Sequence, residues 1–327
     1  MKALVVGYGS IGKRHVNNLL RMPNMKVIVC TNRTDVDHKN NRIKFFKSLD
    51  ESIDEKPDFG VITNVTNLHV SIAMKLAQNN IDLFIEKPLS DSTKGISKLM
   101  HLIKKKRLVT MMGCNLRFNP GIEKVKEILS KNEVGRVISV KSECGSYLPD
   151  WHPYEDYRIG YAARRDMGGG VVLTVIHEID YLYWMFGDVL DVFSISDKFS
   201  DLEVSAEDLS TSIIRFKNNV IAELHLDYFQ RPIARNCKII GTKGTIEWNE
   251  QTNNVRVYHA KKKKWEEKIK IKNYDNNEEY VKEMNHFIKS VRQRRNTIND
   301  IIQGFETLQI ALAIKKSSKT RKMVLIR

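Results

Sequence analysis

The chain is poor in cysteine and has no long uninterrupted apolar run. Its four cysteines, Cys30, Cys114, Cys144 and Cys237, are scattered through 327 residues. They form no C-x-x-C pair and have no histidine partners nearby, which excludes a disulfide scaffold and a zinc site. The expectation is reduced core thiols in a cytoplasmic protein without a metal. The most apolar stretch, residues 170–186, contains His177, Glu178 and Asp180, so it is not a membrane span. Charged and polar residues interrupt the first dozen positions, so no signal peptide is expected. Low-complexity tracts and internal repeats are also missing. With 42% apolar residues the chain can build sizeable cores, and its length suits two domains of roughly 100–200 residues each.

Acidic residues are outnumbered: 39 Asp and Glu against 54 Lys and Arg, a formal net charge of +15. Such an excess raises the question of a nucleic-acid partner, but its distribution answers against one. The basic runs at 104–107 and 261–264 fall at a helix end and in a hairpin loop, acids are interleaved elsewhere, and no nucleic-acid motif accompanies them. The expectation is a solvated basic surface whose field attracts an anionic substrate.

Against these absences stands one dense motif, "ALVVGYGSIGKRHVNNLL". Gly7, Gly9 and Gly12 have G-x-G-x-x-G spacing between a short β-prone run and a helical segment with Ile11, Val16, Leu19 and Leu20 on its apolar face. Each glycine has a reason in a dinucleotide site. Gly7 permits a tight turn, Gly9 lets backbone approach a pyrophosphate, and Gly12 lets helix and strand pack closely. The phosphates would sit at the helix N-terminus, where unpaired N–H groups and the helix dipole favour negative charge. The other reading is a structural turn in a fold without a cofactor.

The first 115 residues alternate strand and helix. Strands are expected at 27–31, 59–63, 83–85 and 109–113, and helices at 11–21, 68–79 and 93–105. That rhythm predicts right-handed βαβ crossovers and a doubly wound parallel sheet. Beyond "NLRFNPG" (115–121) the rhythm changes. A helix at 122–130 and a strand at 137–143 lead into a polar, aromatic loop and then one amphipathic helix through Phe186. Strand-like runs follow at 189–196, 210–216, 220–227, 236–241, 245–250 and 255–259, with turns at 217–219 and 242–244. Helices at 278–294 and 299–315 and a strand at 323–326 close the chain. The expected fold is a Rossmann domain over 1–118, followed at 119–327 by an α+β domain with a large, mainly antiparallel open-faced sheet.

Four stretches, "GYGSIGKRH", "VITNVTNLHVSIAMKLA", "FIEKPLS" and "GGGVVLTVIHEIDYLYWMFG", occur in the order found in Gfo/Idh/MocA oxidoreductases, and the chain resembles that family over nearly its whole length. The resemblance implies hydride transfer between NAD or NADP and a sugar or sugar derivative. It implies cofactor contacts from Gly7, Gly9, Ser10, Ile11, Gly12, Thr63, Asn64, His69, Glu86 and Lys87, often with a cis peptide before the proline of Glu-Lys-Pro. Lys87 would touch the nicotinamide ribose and the substrate hydroxyl, and His177 would exchange the proton of that hydroxyl. The chain departs from the pattern where many relatives carry an Asp three or four residues before this histidine, because Leu173 and Thr174 stand there. Either His177 works with Lys87 alone, or Glu178 or Asp180 substitutes, or the chemistry differs. Asp180, one helical turn on, is the expected orienting partner.

Cofactor choice is read from the end of the second strand, where NAD sites normally carry an acid. Here Thr31, Asn32 and Arg33 follow, which favours NADP over NAD, since Arg can grip a 2′-phosphate in bidentate fashion. Arg14 could support a phosphate, and Asp35 is the weaker NAD-type alternative. The loop at 146–165 holds Trp151, Tyr157, Arg158 and Arg164, and Arg117 is expected near the domain junction. Aromatic faces suit sugar rings and guanidinium groups suit carboxylate or phosphate, so an acidic or nucleotide-linked sugar is expected. The other function classes left open are a non-catalytic NAD(P)-binding sensor and a sugar epimerase or lyase that uses bound NAD transiently. A homodimer or homotetramer through the C-terminal sheet is expected, because a large one-sided sheet needs cover.

Overall fold

In the computed structural model, which describes residues 1–34, 36 and 40–326, the opening apolar run is strand β1 (Lys2–Val6) and the glycine turn delivers the chain into α1 (Ser10–Leu20). There follow β2 (Lys26–Cys30), β3 (Ile43–Phe46), α2 (Leu49–Asp54), β4 (Phe59–Ile62), α3 (His69–Gln78), β5 (Asp82–Glu86), α4 (Ile96–Lys106) and β6 (Thr110–Gly113). Next come α5 (Pro120–Ser130), β7 (Val137–Gly145), α6 (Val171–Thr174), α7 (His177–Phe186), β8 (Val189–Asp197), β9 (Leu209–Phe216) and β10 (Ile221–Asp227). The chain continues through β11 (Ala234–Gly241), β12 (Gly244–Asn249), β13 (Asn254–His259), β14 (Lys264–Lys270), α8 (Asn277–Gln293), α9 (Ile301–Thr320) and β15 (Val324–Leu325).

Two units are distinct: residues 1–115 with 277–306, and residues 116–276 with 307–327. A single boundary near residue 118 does not describe this division, because the chain returns to the first unit at α8. The return is held by Phe287, which meets Phe59 and Phe84 edge-on at 5.5 and 5.6 Å, and by paired amides of Asn18 and Asn277.

The first unit is built on a six-stranded parallel sheet in the order β3-β2-β1-β4-β5-β6, the expected doubly wound arrangement. Every residue of β4 and β5 is buried, as suits parallel strands covered on both faces. The strand order reverses between β1 and β4, and ligands of such sheets bind outside the carboxyl ends of the strands at that point. Local signals agree with the helix ends. Ser48 caps α2 through the Glu51 N–H, while α4 finishes on three lysines, which complement the negative end of its dipole.

The second unit carries a nine-stranded sheet in the order β14-β13-β12-β11-β7-β10-β9-β8-β15, antiparallel except where β7 pairs with β10. Burial alternates along β9, so one face packs inward and the other is open. Asn119 caps α5 through the Gly121 and Ile122 N–H groups, with Pro120 at the first helical position. The single helix expected to run through Phe186 is instead two: α6 stops at Thr174, Val175 leaves helical geometry, and α7 restarts at His177. All four cysteines are buried thiols outside any disulfide, and burial pushes those of Cys144 and Cys237 up to about 12. Among the described residues no helix is long and apolar enough to cross a membrane, and no cluster suits a metal ion.

Candidate cofactor and catalytic site

At the end of β1 the three glycines do three different things. Gly7 has φ +102°, and a Cβ there would lie 2.8 Å from the backbone of both Thr63 and Asn64. At Gly12 a Cβ would lie 2.3 Å from the Gly7 carbonyl oxygen, so helix and turn touch there. Gly9 differs from both. Its backbone is extended (φ −76°, ψ −166°), and a Cβ on it would meet nothing within 4 Å among the described residues. None of these residues requires glycine at position 9. A backbone left bare toward open space at a helix start is what a pyrophosphate needs. Gly9 is also the N-cap of α1, which no side chain caps and whose first turn has no acid. The residues present therefore fit a dinucleotide.

Thr63 locks this turn to β4: its hydroxyl donates to the carbonyls of Gly7 at 2.9 Å and Val6 at 3.1 Å. The buried His69 ring lies between the carbonyl oxygens of Pro88, 2.8 Å from Nδ1, and Asn64, 2.9 Å from Nε2. Burial pushes its pKa down, with the two carbonyls opposing. Thr63, Asn64 and His69 are thus brought to the edge of the glycine turn. Lys87 follows β5 directly, half-buried, and the Lys87–Pro88 bond is cis, as the resemblance implied. Glu86 is buried, accepts from the Lys87 N–H at 3.2 Å and meets His15 Nε2 at 2.7 Å.

At the end of β2, the Arg33 N–H donates to Thr31 Oγ1 at 3.2 Å, and Asn32 and Arg33 are exposed. Residues 31–34 include no carboxylate. Asp35 lies outside the described residues. Tyr8, inside the glycine turn, packs edge-on to Phe45 of β3 at 5.5 Å, which joins this strand end to the turn.

In the second unit His177 opens α7 and is buried. Asp180 does not serve it as expected. Both Asp180 oxygens are taken by Arg117, from Nε and Nη2 at 2.8 Å each, and Thr307 adds a contact at 3.4 Å. Arg117, expected to face substrate, is 1% exposed and is the other half of this interior pair. Two expectations are therefore corrected together, by one bidentate ion pair that satisfies both groups. Glu178 points into the interior as well, 2.8 Å from Arg235. Thr174, at the position of the missing Asp, is buried.

The aromatic loop is tied to its own surroundings. Trp151 Nε1 donates to Ser146 Oγ at 2.7 Å, and its ring meets Tyr228 edge-on at 5.4 Å. The Tyr157 hydroxyl accepts from the Glu203 N–H at 3.1 Å. Arg158 forks onto Asp156 and reaches Glu203, and Arg164 pairs with Asp166. These pairs are exposed, so solvent screens them and their guanidinium groups stay open to other anions.

Two site neighbours escaped sequence reasoning, His15 and Tyr280. The ring of Tyr280 on α8 lies 4.5 Å from the Arg14 guanidinium. His15 carries a signal in hindsight, a histidine three residues past the last glycine, whereas Tyr280 arrives from the far end of the chain with none.

Comparison with known proteins gives the family and the fold. Residues 1–114 match the family described as oxidoreductase family, NAD-binding Rossmann fold, and residues 122–247 match the GFO/IDH/MocA C-terminal domain. A myo-inositol 2-dehydrogenase of Thermotoga maritima is 24% identical over 339 aligned positions, spanning 99% of this chain and 98% of the relative. Levoglucosan dehydrogenase, solved with NADH and levoglucosan, superposes with a TM-score of 0.89 at 18% identity, covering 100% of this chain and 99% of that one. The WlbA dehydrogenase from Bordetella pertussis, solved with NADH and UDP-GlcNAcA, superposes with a TM-score of 0.84 at 18% identity over 100% and 98% of the two chains.

Proposed function

The chain belongs to the Gfo/Idh/MocA oxidoreductase family, and from that premise we propose that it interconverts a hydroxyl and a keto carbon on a sugar-type substrate with a nicotinamide dinucleotide. One observation carries the cofactor reading: Gly9 faces open space while Gly7 and Gly12 are packed tight. The dinucleotide, when bound, supplies the hydride chemistry. Gly7–Gly12 and the start of α1 hold its phosphates. Lys87 binds and orients the reacting oxygen, and His177 takes or returns the hydroxyl proton. Asp180 is committed to Arg117 and Glu178 to Arg235, so neither of these carboxylates is assigned to His177.

The preference for NADP over NAD(H) rests on Thr31, Asn32 and Arg33, which place donors and a cation where an NAD site has an acid. An anionic sugar is supported by Arg158 and Arg164, whose guanidinium groups stay open to other anions. Self-association through the second unit is supported by Phe193, Ile195, Ile213, Ile221 and Leu325, all exposed. Phe193 pairs with Ile213 across the β8–β9 ladder.

The test is a tryptophan-fluorescence titration with NADH and NADPH, followed by turnover on a panel of inositols, aldoses, uronates and nucleotide-linked sugars. Binding with release of oxidised or reduced cofactor supports the reading, and Lys87→Ala and His177→Ala should each lower kcat by about 100-fold or more. Arg33→Ala should cut the NADPH-to-NADH affinity ratio by about tenfold. Binding without net redox turnover moves the protein to an epimerase or lyase that keeps its NAD, or to a sensor.

A further inference from the structure

We infer that His15 is a positioning residue for Lys87, acting through the carboxylate of Glu86. The inference rests on the reading of Lys87 as the group that orients the reacting oxygen. Glu86 is the last residue of β5, and its carboxylate is shared. Oε1 takes His15 Nε2 at 2.7 Å, and Oε2 accepts the backbone N–H of Lys87 at 3.2 Å. The carboxylate lies over Gly113, its register partner on β6, where an added Cβ would come within 2.9–3.0 Å of Cδ and both oxygens. Any side chain at position 113 would push Glu86 away, so this glycine is the seat of the carboxylate.

The side chain of His15 is fully buried, its ring is held edge-on by Phe84 at 5.2 Å and Tyr280 at 6.1 Å, and among the described residues Nδ1 has no hydrogen-bond partner. This arrangement fits the tautomer with its proton on Nε2, directed at Glu86. A buried acid–base pair of this kind is a poor stabiliser, since removing groups from water costs about what their attraction returns. An apolar pair would fill the same volume at less risk, so a role in aim explains the pair better than a role in stability.

The placement of His15 adds a connection. It stands on α1, whose first turn is the glycine turn, and five residues of helix span about 7.5 Å. One rigid element thus joins the phosphate-holding backbone to the carboxylate that holds Lys87.

The experiment compares His15→Leu, which removes the donor, with His15→Gln, whose amide can still donate to Glu86. Circular dichroism and thermal unfolding confirm that each variant folds. In His15→Leu, kcat should fall by about tenfold or more, with KM and NADH affinity within about threefold, because aim is lost and binding is not. His15→Gln should recover most of that loss. Independently of any substrate, hydrogen exchange in the cofactor-free protein should show the Lys87 amide exchanging faster in His15→Leu than in wild type and the Gln variant. A folded His15→Leu with unchanged kcat, or an unchanged Lys87 exchange rate, overturns the inference. So does a Gln variant no better than Leu. If His15→Leu does not fold, His15→Met, which also lacks a donor, takes its place with the same readouts. Should the wild type bind NADH yet turn over no sugar, the functional reading fails while the exchange measurement still decides the role of His15.

Discussion

Glu178, whose side chain has no exposure to water, meets Arg235 at 2.8 Å, and the same guanidinium reaches Glu250 at 3.3 Å. One cation is thus shared by two carboxylates. Burial pushes the Glu178 carboxyl up to about 7, with Arg235 opposing and Glu250 adding like-charge repulsion.

That shift has a definite sign for stability. Between the ordinary carboxylate range and pH about 7 the folded chain holds a proton at Glu178 that the unfolded chain has lost. The resulting stabilisation is fully present below that range and disappears as pH rises through about 7. Thermal unfolding followed from pH 5 to pH 8 should therefore show a falling Tm. Glu178→Gln, which keeps the shape and removes the titration, should flatten the slope. An unchanged slope in the Gln variant would place the pH dependence elsewhere.

The Arg117–Asp180 pair makes a different prediction from the one an exposed arginine would make. Truncating one partner of a buried bidentate pair leaves an uncompensated charge, at a cost of about 3–5 kcal/mol. Arg117→Ala should lower the urea midpoint sharply, and Asp180→Asn should lose less, since its amide oxygen still accepts a bond. A stable Arg117→Ala with a raised KM would return Arg117 to substrate binding.

These two residues show where sequence reasoning reaches and where it stops. The βαβ rhythm and the glycine turn were legible because local patterns and spacings carry them, whereas Glu-Lys-Pro was legible only through the family resemblance. Arg117 and Asp180 are 63 positions apart, and nothing local announces that they meet. Strand β14, "KWEEKIK", was missed because it has scarcely any buried face and so no alternation. The break between α6 and α7 was hidden by continuous apolar sequence, since every residue of α6 is buried. The return of α8 to the first unit is a long-range event that a reading from left to right assigns to its neighbours in sequence.

The open face of the second sheet predicts association. Phe193, Ile195, Ile213, Ile221 and Leu325 are exposed there, beside the ion pairs Arg215–Asp191 and Lys141–Glu223. Light scattering on the purified chain should report a dimer or tetramer, and Ile213→Glu should shift it to smaller species without lowering the Tm of the dissociated form. A wild-type monomer at tens of micromolar concentration would reject the proposal.

The glycine turn allows the sharpest separation of fold from function, because its members differ in what surrounds them. An added Cβ at Gly12 would press on the Gly7 carbonyl oxygen at 2.3 Å, against backbone that cannot give way. Gly12→Ala should therefore destabilise the fold by about 2–4 kcal/mol and weaken NADH binding only as a consequence. An added Cβ at Gly9 would meet none of the described residues within 4 Å, and the extended backbone there accepts any residue. Gly9→Ala should leave the unfolding midpoint within about 1 kcal/mol of wild type while weakening NADH and NADPH by about tenfold or more, since the methyl group stands where the pyrophosphate must approach. Chemical denaturation and fluorescence titration of the two variants measure both quantities. If Gly9→Ala keeps full affinity, the open space over Gly9 holds no phosphate, and the turn is only a turn.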